Sequence, residues 1–182
     1  MHYKTNGKQF TIVSLAPQKS NQLQANKLLT KVKVLQRGWT VSFAVKPTGV
    51  VTGLANIIHA TLGENDRKYG DRTPGVWFKS KTTELYICSA ISGNKDKCFT
   101  SQPLPKNKFT TIIIRQFQKK DFKYYFQIFI NGKKEFEIIN TEPRNFKNVK
   151  YYGSDPWHKA AKCILKDFDL KMFSHKGENL VK

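Results

Sequence analysis

Apolar residues in this chain recur at every second position, in runs too short for the helices of a bundle. In Trp39 to Lys46 (WTVSFAVK), Trp39, Val41, Phe43 and Val45 fall on one face and Thr40, Ser42 and Ala44 on the other. A strand with one buried face reads this way. Leu28 to Leu35 repeats the pattern, with Val32 and Val34 opposite Lys31 and Lys33. Phe109 to Phe117 and Lys123 to Ile130 are the most β-prone runs, and Asn131-Gly132 follows the second at once, before Lys134 to Asn140. Asn-Gly tolerates positive φ at both positions and marks a hairpin. Further strands are expected at Gln9 to Leu15, Glu84 to Ala90, Lys97 to Thr100, Val149 to Tyr152 and Cys163 to Phe173. Ala16 to Asn26 reads as a connection, Ser92-Gly93-Asn94 as a turn, and Asp155 to Ala160 as a turn or one helical turn. With no heptads, no βαβ alternation and no internal repeat, the pattern predicts an all-β, antiparallel two-sheet sandwich.

The chain has 182 residues, enough for one such domain over 1–182, with a core from about 9 to 173 and loose termini. No apolar run approaches the roughly 20 residues that cross a bilayer. Met1-His2-Tyr3-Lys4 shows no signal-peptide core. Thirty-two Lys and Arg against thirteen Asp and Glu give a net charge of +19. Such a field attracts polyanions: sulfated glycans, nucleic acid, anionic membrane or acidic matrix. Neither zinc-finger spacing nor an RNP motif is present, so no sequence-specific nucleic-acid partner is expected. Lys119, Lys120, Lys123, Lys133, Lys134, Lys147 and Lys150 are the polyanion-binding candidates, either gathered in one plane or dispersed.

Leu54 to Phe78 reads as two buried strands joined by a long charged loop, where binding groups on β scaffolds commonly sit. Its candidates are Glu64, Asn65, Asp66, Arg67, Tyr69, Asp71 and Arg72, joined by Trp157 and His158 from the Asp155-Pro156-Trp157-His158 string. Asp66 and Asp71 are hard oxygen donors that suit calcium, but the spacing fits no calcium motif and Arg67, Lys68 and Arg72 repel a cation. The alternative is a structural loop in which Asp71 and Arg72 pair. His59 is expected to be a hydrogen-bonded inward histidine that fixes the following loop, and Trp157 either caps the core or offers a sugar platform. No hydrolase or nucleotide motif occurs.

The strings WTVSFAVKP, GDRTPGVWF, LYICSAISGNKDKC, FQIFINGKKEF and SDPWHKAA resemble a concanavalin A-like, laminin-G-type jelly-roll module. They are similar to modules of secreted and skeletal-matrix proteins of cnidarians, over roughly Val32 to Phe173. The resemblance implies a jelly roll, and calcium near the loops in some relatives. Glucanases of this superfamily carry spaced carboxylates on one strand, and retaining hydrolysis needs two about 5 to 5.5 Å apart. The nearest pair here, Glu135 and Glu137, lies beside Lys133 and Lys134 and reads as a solvated face, so no catalytic residue is expected. Cys88 and Cys98 flank a nine-residue turn segment and would face each other in a hairpin, a disulfide that suits an oxidising compartment. Cys163 is left buried or linking to another chain. The expectation is a secreted, non-enzymatic module without a cofactor, binding carbohydrate or another anionic matrix component. The alternative is a structural or adhesive domain with an extracellular protein partner; a glycan-cleaving enzyme or membrane-active toxin ranks below both.

Overall fold

The computed structural model describes the backbone of residues 9–14 and 21–173 and the side chains of residues 22–173. The termini expected to be loose, Leu15, and residues 16–20 of the first connection lie outside the described residues.

Among the described residues, fourteen strands form two sheets. They are β1 (Gln9–Ser14), β2 (Asn21–Gln22), β3 (Leu28–Leu35), β4 (Gly38–Pro47), β5 (Ala55–Thr61), β6 (Gly75–Phe78) and β7 (Glu84–Ile91). The second half contributes β8 (Asn94–Pro103), β9 (Thr110–Gln118), β10 (Tyr124–Ile130), β11 (Lys133–Asn140), β12 (Phe146–Tyr152), β13 (Lys159–Ala160) and β14 (Cys163–Phe173). The first sheet runs β1-β14-β4-β9-β10-β11 with β2 beside β14, and the second runs β3-β12-β5-β6-β7-β8 with β13 beside β5. Every pairing is antiparallel except the two-residue β13–β5 contact. This is the two-sheet sandwich the alternation predicts, with jelly-roll-like crossovers. Cys163 to Phe173 spans the expected residues but lies inside its sheet, between β1 and β4.

The core fills the space between the sheets. Trp39, Val41, Phe43 and Val45 from β4 face it, with Ile112, Ile114, Phe126, Ile128, Leu170 and Met172 from the same sheet. Ile58, Ala60, Val76, Phe78, Leu85, Ile87, Val149 and Tyr151 answer from the other. Burying each large apolar side chain contributes about 1.5–3 kcal/mol. Cys163 is wholly buried in this core, and burial pushes its thiol up to about 12, so it is a packed, protonated side chain rather than a link between chains.

In β5 and β6 every residue is buried, on both faces. A second layer therefore covers the outside of the second sheet at its centre. The residues between β5 and β6 and those between β12 and β14 form that roof.

Candidate functional site

The roof rests on a row of outward-facing residues. Register places Cys98, Cys88, Gly75, His59 and Tyr152 side by side across β8, β7, β6, β5 and β12. Trp77 and Tyr86 make the next row on the same face. Gly75 is required there, since a Cβ would lie 2.1 Å from the Trp77 ring. Cys88 and Cys98 form the expected disulfide.

His59 lies beneath the roof with no exposed surface. Its Nδ1 lies 2.6 Å from Asp155 Oδ2 and its Nε2 2.7 Å from the Asp71 carbonyl oxygen. Both ring nitrogens thus face oxygen acceptors. Asp155 is equally buried and gathers further donors: the backbone N–H groups of Trp157 and His158 at 3.0 and 2.8 Å, and His158 Nδ1 at 2.9 Å. Burial opposes its charge, but the hydrogen bonds from His158 and His59 prevail and hold the carboxyl well below the usual carboxylate range. Asn56 completes the mesh, accepting from the Asp155 N–H at 2.8 Å and donating to the Ile58 and Val76 carbonyls.

Four rings close around these polar groups. His59 meets Trp77 and Trp157 edge-on, with centroids 5.3 and 5.4 Å away, and Trp77 meets His158 at 5.4 Å. Arg72 lies over the Trp77 ring at 4.9 Å and donates to Asp96 at 2.6 Å, with Asp66 at 3.5 Å. A buried guanidinium is tolerable in this setting because it is both paired and stacked.

The charged loop divides in function. Asp71 does not pair with Arg72: its carboxylate accepts from the Lys68 N–H at 2.6 Å, the Glu64 N–H and the Thr61 hydroxyl, tying the loop to itself. Tyr69 packs on Phe146 and donates to the Glu142 carbonyl, with Arg144 over its ring. Glu64, Asn65, Asp66 and Arg67 are more accessible, Asn65 accepting from Arg72. The two calcium candidates are engaged separately, Asp71 by loop N–H groups and Asp66 by Arg72. Among the described residues, Cys88, Asp96 and Cys98 gather ligand atoms within 4.8 Å of one another, and those two thiols are spent in the disulfide.

Trp157 emerges at the edge of the roof, 39% exposed, with Tyr152 against it at 6.3 Å. It is neither a core side chain nor a free one. Two residues along β12 from Tyr152, Lys150 stands directly opposite Lys31 of β3, and Lys33 follows Lys31 on the same face. Like charges facing each other across strands repel. No carboxylate pairs with either member among the described residues.

The seven lysines fall in three places. Lys119, Lys120 and Lys123 lie in the β9–β10 turn, Lys133 and Lys134 at the opposite end of β10, and Lys147 and Lys150 on β12 of the other sheet. Lys119 pairs with Glu137, Lys133 with Glu135 and Lys134 with Glu137. Glu137 accepts from Gln127 first and then from Lys119 and Lys134, which holds its carboxyl down to about 2.

Sequence reasoning missed Asp155, Asn56 and Asp96. Asp155 was legible only as the head of a turn, where it accepts from Trp157 and His158; its partner His59 is 96 residues away.

No family model matches this chain, and no curated protein matches it. Solved structures do. A heptameric SAP-like pentraxin from Limulus polyphemus is 12% identical, with a TM-score of 0.53 over 79% of this chain and 67% of that one. Domain 4 of AbnA, an extracellular arabinanase from Geobacillus stearothermophilus, solved with arabinotriose, is 15% identical, with a TM-score of 0.50 over 80% of this chain and 66% of that one. An alginate lyase from Alteromonas sp. 272 is 9% identical, with a TM-score of 0.50 over 79% and 78%. At such identities the likeness is one of fold. The scaffold serves both carbohydrate-binding proteins and glycan-processing enzymes.

Proposed function

We propose that this protein is a non-enzymatic, secreted binding module for carbohydrate or another anionic extracellular-matrix component of the sulfated-glycan type. The observation that carries this reading is the exposed Trp157 packed against Tyr152, with the facing Lys31–Lys150 couple two residues along β12 from Tyr152. An aromatic face packs on a sugar ring, while two lysines with no carboxylate partner among the described residues neutralise sulfate or carboxylate groups and release counterions. His158 is set beside Trp157 by Asp155, and Glu64 to Arg67 border the roof on the loop side. The disulfide suits an oxidising, extracellular setting. Glu135 and Glu137 are occupied by lysines, Glu135 by Lys133 and Glu137 by Lys119 and Lys134, which supports a solvated, charge-paired face over a hydrolytic pair.

Heparin chromatography and a glycan array at two salt concentrations test the proposal. Elution above physiological salt, with Trp157→Ala losing binding to individual glycans, is expected. Elution at or below physiological salt, or glycan binding that ignores Trp157, contradicts it. Capture of an extracellular protein by this face without any glycan signal would favour an adhesive role instead.

A further inference from the structure

The β9–β10 hairpin ends in a feature that the glycan reading does not use. Phe122 sits at its tip with 82% of its surface exposed, the most of any large hydrophobic side chain among the described residues. Its φ is +61°, the left-handed region that a bulky aromatic seldom adopts and that glycine or asparagine would occupy at lower cost. The turn nevertheless holds it firmly. The Phe122 N–H donates to the Lys119 carbonyl at 3.0 Å, and its own carbonyl accepts from Gln118 Nε2 at 2.8 Å. The Lys119 N–H donates to the Lys123 carbonyl at 3.0 Å. Asp121, the turn's only acid, is folded back onto the Tyr125 hydroxyl at 2.7 Å and the Lys123 N–H at 3.1 Å. Asp121 is itself exposed and its charge acts on Lys123, so the tip offers a bare aromatic ring flanked in sequence by Lys120 and Lys123, both exposed and neither within ion-pair distance of a carboxylate among the described residues.

We propose that this tip is a membrane-contact site, in which Phe122 enters the interfacial layer of an anionic lipid bilayer while Lys120 and Lys123 meet its headgroups. The size of the feature favours a bilayer over a protein partner. A specific protein interface needs about 800 Å² from each side, and one ring with two lysines on a narrow turn supplies far less. A bilayer interface asks only for an apolar wedge and nearby cations. Phe109, also exposed, precedes the other end of β9, about 30 Å along the strand, and lies under Lys46 and Lys166 instead. Strain at an exposed aromatic, held by a dense hydrogen-bonded turn, is retained where the side chain has a use.

Vesicle flotation of the full chain tests this, with phosphatidylcholine alone and with added phosphatidylserine at physiological salt. The wild type should float with the anionic vesicles and not with the neutral ones. Phe122→Asn suits the left-handed turn, so the variant should fold normally by circular dichroism and bind anionic vesicles about tenfold more weakly. Lys120→Gln and Lys123→Gln should each weaken binding about fivefold. Phe122→Trp should show a blue-shifted emission component when anionic vesicles are added. Heparin retention of Phe122→Asn should equal that of the wild type, so failure here is separable from failure of the glycan proposal. No lipid-dependent flotation, or flotation unchanged in folded Phe122→Asn, overturns the inference. So does equal binding to neutral and anionic vesicles.

Discussion

The outer faces of the two sheets meet water in opposite ways. The second sheet is roofed: His59, Asp155, Trp77 and Arg72 lie outside the sandwich core and are still buried, because two loops close over them. The first sheet is bare and is shielded by its own side chains. Arg115 lies between Phe117 and Phe129 at 4.6 and 4.7 Å, Lys119 over Tyr125 at 3.6 Å, and Lys46 and Lys166 over Phe109. Long basic side chains cover apolar rings while their charges stay wet. A buried polar group commits the loops that pair with it, whereas these half-buried cations commit neighbouring strands of their own sheet, as Arg115 does in donating to Gln127 at 2.7 Å. The roofed face should therefore respond cooperatively to mutation and the bare face locally.

The largest effect is expected at Asp155. Asp155→Ala leaves both His59 Nδ1 and His158 Nδ1 without an acceptor and should cost about 3–5 kcal/mol, measured by urea unfolding. A loss below about 1 kcal/mol would mean the roof is not held by this carboxylate. The second effect is in pH. The folded Asp155 carboxyl lies below its unfolded value of about 3.9, so its stabilisation is complete above that pH and fades as pH falls below it. The difference between wild type and Asp155→Asn should accordingly shrink on acidification below about pH 4. A difference that grows there would reverse the assignment. The smallest effect belongs to the bare face: Arg115→Ala should cost about 1 kcal/mol or less in the same assay. A cost rivalling that of Asp155→Ala would erase the contrast between the faces.

The strands were legible because one-sided burial writes itself as alternation. β4 and β14 were read closely, and the Asn131-Gly132 turn was placed by its chemistry. β5 was readable as buried but not as roofed. Ile57-Ile58-His59-Ala60 gives no alternation when both faces are covered, so His59 was taken to point inward. It does fix the following loop, through the Asp71 carbonyl, but from the outer side of the sheet. The Asp155–His59 pair was beyond reach for a different reason: the local turn from Asp155 to His158 was visible, but a pairing across 96 residues leaves no local pattern. The lysines were visible as charges, yet which of them have carboxylate partners depends on register, as the facing of Lys31 and Lys150 shows. Phe122 passed unnoticed because nothing local separates an exposed phenylalanine from a buried one.

The most direct test of the proposed function compares two lysine pairs in one heparin-binding experiment. Lys31→Ala with Lys150→Ala removes the facing couple that has no carboxylate partner among the described residues, and Lys133→Ala with Lys134→Ala removes two that already have glutamate partners. Both variants lose the same formal charge. A marked fall in the eluting salt concentration for the first and a slight one for the second is the predicted result. Equal falls would show that bulk charge, and not this face, attracts the polyanion.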